Sequence, residues 1–515
     1  MSGSELAERV RQALDVDREE FDRRVSEDVE ELKRELREGT FDNPQAIVGL
    51  EYEFYAVNDE GALARLPRRL LEFVGFEKEL GLHNAEMSTS PQPLNEYGLE
   101  AQEREVQARV KAAYEPMDAE GLHLVSDGMW TIPPEGETAE SYLTGSVEDG
   151  GVQLATNMSA STRYHAMANT DQPAGMRLDA PHVSLSADTV MPESLITSIQ
   201  PHYQVPQAVD LPTYFRYALR FAGPVLALGV NSPFYPPDLY DDDATPEEIL
   251  ADGHDEHRVG VFESVLNVPG EQEKVRFPED IGNMKEAVDR IAEDNTIVPM
   301  PVEEGGRFDD EFAHFRMKHG TYWRWVRPVL GGSSRESANA RIEFRPLPCQ
   351  PTVRDTVAFQ AMFAGLLQSM VRREHPLYDL DWADARDNFY AAVEDGLDAE
   401  FAYVTEDGEE TTDLKAIYED LFDYATLGLA DVGLTEEEAA KYLWPLRQRA
   451  RHAVTPAAWK RDRVREQLDE GATFENAVYA MQCEYMENQH ETLLEGSFAD
   501  WLGRGGGLDD RTTTR

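Results

Sequence analysis

The run Val48-Gly-Leu-Glu-Tyr-Glu-Phe-Tyr-Ala-Val57 reads as a buried strand interrupted by acids at Glu51 and Glu53. In a strand, residues i and i+2 share a face about 6.6–6.8 Å apart. Glu51, Glu53 and Tyr55 therefore line one side, and Leu50, Tyr52 and Phe54 the other. The same parity recurs in His83–Ser88, with Asn84, Glu86 and Ser88 together, and in Pro181–Ser186, with His182, Ser184 and Ser186 together. It recurs again in Ala340–Arg345, with Arg341, Glu343 and Arg345 opposite Ile342 and Phe344. Any one of these strands can simply be half-exposed, its polar side facing water. The alternating Arg-Glu-Arg is different, because that mixture suits Mg²⁺-bound phosphates: carboxylates hold a hard cation through oxygen, and guanidinium forks hold phosphate oxygens. If the strands share a sheet, its front pools these carboxylates, an imidazole and two guanidinium groups.

Those strands need elements to position them. Residues 4–39 are charged, with apolar positions at three- to four-residue intervals, and predict an amphipathic helix or helix pair. From about Gln45 to Arg373 strand-like runs alternate with helices, among them Leu99–Tyr114 and Leu211–Ala222. Acidic loops follow at Pro236–Asp255 and Glu303–Glu311, where Pro, Gly and Asp mark turns or mobile covers. Trp382–Leu502 is nearly all helical by pattern, and the closing GRGGGLDDRTTTR reads as disordered. The expected organisation is a helical extension (1–44), an α+β core (45–376), a helical region packed on it (377–502) and a tail (503–515), with no internal repeat.

Composition narrows the partners. The chain has 515 residues, 41% of them hydrophobic, and a net charge of −51 from 48 basic and 99 acidic residues. So large a negative charge argues against nucleic acid or an anionic membrane, since both would repel it. The acid is spread along the whole chain, with nine lysines against 39 arginines. Such a surface fits a halophilic protein, whose salt-loaded cytoplasm screens the self-repulsion. Cys349 and Cys483 are too few for a disulfide framework or a thiolate metal site, and read as buried reduced thiols. No apolar run approaches the ~20 residues of a bilayer span, and the start MSGSELAERV lacks the apolar core of a signal peptide, so a cytoplasmic protein is expected.

Further motifs occur in order: Glu86-Met-Ser-Thr89, Gly121–Pro133, Arg163-Tyr164, His182-Val183, Leu226-Ala-Leu-Gly-Val-Asn-Ser-Pro-Phe234, Arg258, and the closing Arg341–Arg345 before Asp355. Together with Gly49-Leu-Glu-Tyr-Glu-Phe54, this ordered set resembles the glutamate-cysteine ligase and carboxylate-amine ligase family, relatives of the glutamine synthetase catalytic core. Gly49–Phe54 is similar to the family's opening G-x-E-x-E strand, Leu226–Phe234 to its L-A-L-S-A-N-S-P-F, and Ile342–Arg345 to its I-E-x-R. The likeness runs from about residue 49 to 451, with echoes in Asn388-Phe-Tyr-Ala391, Gly396-Leu-Asp-Ala399 and Arg447-Gln-Arg449. There are departures: Ser184 stands where the family has a second histidine, Pro346–Cys349 lacks the usual acid, and the loop after Phe234 is long and acidic.

The resemblance implies an α+β fold, a curved and mainly antiparallel sheet backed by helices, with a helical C-terminal region. It implies ATP-dependent amide formation on the γ-carboxylate of glutamate through an acyl phosphate, chemistry that rests on alignment and charge neutralisation. On that reading Glu51, Glu53, Glu86 and Glu343 bind Mg²⁺, with His182 as a further metal or phosphate contact. Arg345 and Arg258 stabilise the transferring phosphoryl group or hold a substrate carboxylate. Arg163, Asn231, Arg324, Arg327 and Arg341 are the expected substrate and nucleotide contacts. Tyr322-Trp-Arg-Trp-Val-Arg327 is either a core strand or a wall of the nucleotide or amine site, and His319 beside it is the one loop histidine of interest. The expected partners are small molecules: ATP, glutamate and an amine such as cysteine, which would make γ-glutamylcysteine. A different amine, or a non-catalytic nucleotide-binding relative, are the alternatives. No short motif here reads a thiol, and oligomeric state is left open. The site reading requires Glu51, Glu53, Glu86 and Glu343 to converge on one concave face.

Overall fold

The computed structural model describes residues 3–170, 176–268, 270, 272–302 and 305–502. Its centre is the strand Ile47–Val57, whose Leu50, Tyr52 and Phe54 are fully buried on one face. That strand pairs antiparallel with Ile199–Val205 on one side and Asn84–Ser88 on the other. The sheet continues through Asn339–Phe344 to Val326–Gly331 at one edge and to Glu77–Lys78 at the other, with every pairing antiparallel. The short strands Gln92–Pro93 and His123–Val125 also pair with the central one. The result is the expected α+β fold, a curled antiparallel sheet backed by helices.

The back is sealed by Glu96–Asp118, Leu211–Ala227 and Val353–Arg373. Leu211–Ala227 is apolar nearly all round, which is the pattern of a helix buried on every side. Val353–Arg373 opens on an N-cap, the Thr352 side chain accepting from the Asp355 N–H at 3.1 Å. Asp355 itself meets Arg449 at 2.9 Å, both fully buried, which locks the C-terminal helix Glu436–His452 onto the sheet's backing. Losing one partner of such a buried pair costs about 3–5 kcal/mol, because the other charge is left in a dry core.

The N-terminal helices Gly3–Leu14 and Arg18–Glu38 bury Phe21, Val25, Val29 and Leu32 along one stripe. The second helix starts on an Asp17 cap and ends at Gly39, whose φ of 72° suits the left-handed stop. It packs on Met284–Glu293 and Ala313–His319, and its buried Glu35 is paired with Arg335 at 2.5 Å.

Several expectations change. Pro181–Ser186 is not part of the main sheet: Arg177–Ala180 and Val183–Ser186 form a separate hairpin, with His182 in its turn at φ 60°. Val183 and Leu185 do alternate with exposed Ser184 and Ser186, so the period was right and the partner wrong. Pro236–Asp255 is more ordered than a loop, holding the helix Pro246–Asp252 behind a Thr245–Glu248 capping box. Tyr322–Trp325 is buried but irregular, and the strand starts only at Val326. The expected disordered tail, 503–515, lies outside the described residues. Cys349 is buried and Cys483 half-buried, both free. Among the described residues no helix is long and apolar enough to cross a membrane.

One buried acid ties stability to pH. Glu263, on the helix His257–Leu266, accepts from Trp325 Nε1 and Tyr390 Oη, each at 2.8 Å, yet burial pushes its carboxyl up to about 7. Between the unfolded value near ~4.3 and that raised one, the folded state binds more protons than the unfolded state. Stability from this group is therefore present at low pH and is lost as pH rises to about 7. Glu263→Gln is expected to remove that decline. Its unfolding free energy from urea titrations should exceed that of the parent by an amount that grows from pH 5 to pH 8 and reaches about 2–3 kcal/mol.

Candidate active site

Strand register decides what the front face holds. Glu51 lies opposite Gln200, Glu53 opposite Glu86, and Glu343 opposite both His202 and Arg327. The structure thus brings Glu51, Glu53, Glu86, Glu343, Arg327, Arg341 and Arg345 onto one face. Glu343 is the most tightly held of them, gripped by Nε and one terminal nitrogen of Arg327 at 2.6–3.0 Å and by Arg345 at 2.6 Å. Burial alone would raise its carboxyl, but the two arginines outweigh it and hold it well below the usual range. Glu51 is 3.4 Å from His202 Nε2, and Arg341 reaches His202 Nδ1 at 3.3 Å.

Towards Asn84–Ser88 the balance reverses. Glu53 accepts from Ser198 N–H at 2.7 Å, Ser198 Oγ at 3.0 Å and Gln200 at 3.2 Å, but burial and the nearby Glu79 still push it up to about 7. Burial, Glu79 and Glu51 raise Glu86 well above the usual carboxylate range. Burial, Glu79 and Glu53 take Glu193 up to about 8. This half of the floor holds more carboxylate than Arg258 and Arg345 balance, and carboxylate oxygens are donors that suit a hard divalent cation. Among the described residues no three carboxylate, imidazole or thiol groups stand as a ready metal cage, since Glu53 and Glu343 are each engaged by protein donors.

Two cavities open on this face. A cleft of about 650 Å³ lies over Gly49, Glu51, His202, Arg341 and Glu343, walled by Arg307, Arg316 and His319. Gly49 keeps its floor open, since an added Cβ would meet only His202 Cβ, at 3.6 Å. His319 is held neutral by burial and by Arg327, its imidazole lowered to about 3, and its Nε2 donates to the Pro328 carbonyl at 3.1 Å. On the other side of the Glu51–Glu343 line, a pocket of about 40 Å³ is bordered by Glu53, Glu79, Glu193, Arg258, Arg345 and Trp325.

Other expected site residues lie elsewhere. His182 is in its hairpin turn, 2.8 Å from Asp252, because its strand pairs away from the sheet. Asn231 is buried behind the floor, donating to the Cys349 carbonyl at 2.8 Å and to Tyr485 at 3.1 Å. Arg324 turns to Asp294 at 2.9 Å; three residues from Arg327, it would face the opposite side even if the irregular backbone before Val326 were a strand. Arg163 reaches the Met317 carbonyl at 3.5 Å and borders neither cavity. Arg258 does border the small pocket, paired with Glu256 at 3.2 Å and donating to the Arg345 carbonyl at 3.3 Å.

Gln200, His202, Glu79 and Glu193 were missed. Ile199-Gln-Pro-His-Tyr-Gln-Val205 carries a period-2 signal like the others, masked by Pro201, which argues against a central strand. Glu79 follows a two-residue strand and Glu193 sits in the short turn Met191–Leu195, where no local pattern marks a site.

The model of glutamate-cysteine ligase family 2 matches residues 47–481, so the chain belongs to that family, a family of carboxylate–amine ligases. A search of curated proteins finds no sequence match. Among solved structures it is similar to a glutamate–cysteine ligase of Francisella tularensis in complex with AMP, at 13% identity over 90% of this chain and 92% of that one, with a TM-score of 0.49. It is similar to a bifunctional glutathione synthetase of Pasteurella multocida, at 14% identity over 89% of this chain and 54% of that one, with a TM-score of 0.48. A third likeness is to the complex of the prokaryotic ubiquitin-like protein Pup with its ligase PafA, at 11% identity over 85% and 72%, with a TM-score of 0.38. Nothing about the site rests on these three.

Proposed function

We propose that this ligase uses ATP to activate the γ-carboxylate of glutamate and joins it to cysteine, making γ-glutamylcysteine. The observation that carries the reading is the two-sided floor: an arginine-rich cleft of about 650 Å³ on one side of Glu51 and Glu343, a carboxylate-rich pocket on the other, and Arg345 between them. The polyphosphate lies in the cleft, where Arg327 is paired with Glu343, Arg316 with Asp309 and Asp310, and Arg341 donates to His202 and Asn339 with no ion pair to a carboxylate of its own among the described residues. Glu51, Glu53 and Glu86 would hold Mg²⁺, which supplies charge neutralisation along the phosphates and alignment of the transferring group. His202, adjoining Glu51, takes the place first expected of His182.

Arg345 presents its guanidinium where the glutamate carboxylate and the γ-phosphorus must meet. A fixed fork there can grip an oxygen of each without reorganising as charge develops. The carboxylate oxygen attacks phosphorus, ADP leaves, and the acyl phosphate faces the small pocket, from which the amine attacks carbon.

The test is phosphate release from ATP in concentrated KCl, the medium a −51 chain calls for, with glutamate and a panel of amines. Release that requires both glutamate and cysteine is the expected result. Dependence on another amine would replace cysteine and keep the ligase reading, whereas no release with any amine would leave only a nucleotide-binding relative.

A further inference from the structure

The helix Ala313–His319 places Arg316 and His319 in one wall of the large cleft, yet it has only 7 residues and no cap of its own. Phe312 stands at its N-cap position and offers no side-chain acceptor. Two turns are too few to hold a helix in water without outside support. That support comes from the N-terminal helix Arg18–Glu38. The Asp28 carboxylate accepts from the Phe315 N–H at 3.0 Å and faces the His314 N–H, doing from a separate helix what an N-cap residue does from its own. The same helix meets the wall at further points. Asp22 accepts from the buried Lys318 ammonium at 3.3 Å, and the Phe21 and His314 rings meet edge to face, their centroids 5.7 Å apart. Arg316 is aimed by Asp309 and Asp310 of the turn Phe308–Phe312, and Phe41 packs on Phe308 and Phe312 at ring distances of 6.0 and 6.5 Å. The N-terminal segment thus holds both the cation and the acids that aim it.

These contacts come from outside the family match, which begins at residue 47. We infer that the N-terminal helix pair is a strut for the nucleotide cleft and that Asp28 is its positioning residue: by capping Ala313–His319 it keeps Arg316 and His319 on the polyphosphate side of the cleft. The inference rests on the ligase reading above. Asp28 does not border the cleft, so it acts only through the helix that it caps. A particular division of effects follows. Arg316 faces the polyphosphate before and during phosphoryl transfer alike, so a slack wall weakens binding of the nucleotide. The transfer step itself is left to Arg345 and Glu343, which stand on the sheet and are held there by each other and by Arg327.

The test compares Asp28→Ala, which removes the acceptor, with Asp28→Asn, whose amide oxygen can still take the Phe315 N–H. In the full-length protein, Asp28→Ala should raise the KM for ATP and the dissociation constant of ADP ~3–10-fold. Its kcat and its KM for glutamate should stay as in the parent, and Asp28→Asn should match the parent throughout. Amide hydrogen exchange should quicken in Ala313–His319 of the Ala variant and remain unchanged across the sheet. Should Asp28→Ala not fold, Asp22→Ala, which frees Lys318 at the other end of the same short helix, carries the comparison with the same expected results. A folded variant that binds ADP as the parent does would overturn the strut while leaving the ligase reading intact. So would one in which kcat and both KM values worsen together with a general rise in exchange. A parent that neither binds ADP nor releases phosphate with any amine would remove both.

Discussion

Glu53→Gln is expected to lower glutamate-dependent ATP turnover by about 10²–10³-fold without loosening the fold. Glutamine has the same shape: its amide oxygen can still accept from the Ser198 N–H that now meets one Glu53 oxygen at 2.7 Å, and its amide nitrogen can donate to the Ser198 Oγ that now meets the other at 3.0 Å. What disappears is a negative charge in a cluster where Glu79 and Glu86 already repel it. Removing one of several crowded, buried carboxylates relieves that repulsion, so the melting temperature should equal or exceed that of the parent. The activity should fall because a neutral amide is a poor ligand for a hard cation bridging phosphates. Thermal unfolding alongside a Mg²⁺ titration of turnover separates the two effects. Near-normal turnover across the titration would show that Glu53 holds no metal.

Arg345→Lys should cost at least about 100-fold in kcat/KM for glutamate, a larger loss than conservation of charge would imply. One terminal nitrogen of Arg345 donates to Gln200 Oε1 and to Glu343, each at 2.6 Å, while its Nε is buried with no partner among the described residues. The guanidinium therefore fixes two parts of the floor and still presents donors to a substrate. A lysine ammonium can replace the contact with Glu343, but it has no planar fork to hold Gln200 and grip an incoming oxygen as well. Because Arg327 still clamps Glu343, folding should survive. The check is steady-state kinetics at saturating ATP with glutamate varied. A Lys variant within a few-fold of the parent would mean that only the charge matters at this position.

Strand parity was readable because it is local. Glu51 with Glu53, Asn84 with Glu86, and Arg341 with Glu343 and Arg345 fall on common faces wherever their strands pair, since the side-chain period is set by the backbone alone. Helices such as Leu211–Ala227 and Glu96–Asp118 were legible for the same reason, though both run past the expected ends. Caps and buried ladders extend a helix beyond the window in which its apolar period is clear. The N-terminal helices were visible as a pair, but nothing in their own pattern says that Glu35 reaches Arg335 or that they support the helix Ala313–His319, which ends at the cleft.

The error at His182 shows where local reading stops. Pro181–Ser186 and Ile199–Val205 both alternate, and both carry a histidine on the polar side. Only pairing decides which enters the sheet, and pairing joins residues far apart in the chain, as Gly49 to His202 and His202 to Glu343. By itself the sequence determined the polar faces, the acidity and the order of the motifs, all properties of neighbouring residues. Tertiary structure decided which imidazole joins Glu51, how firmly Glu343 is clamped, and that Glu79 and Glu193 gather beside Glu53. Those are matters of register and burial, and a charge acquires its chemistry from the groups that folding brings against it.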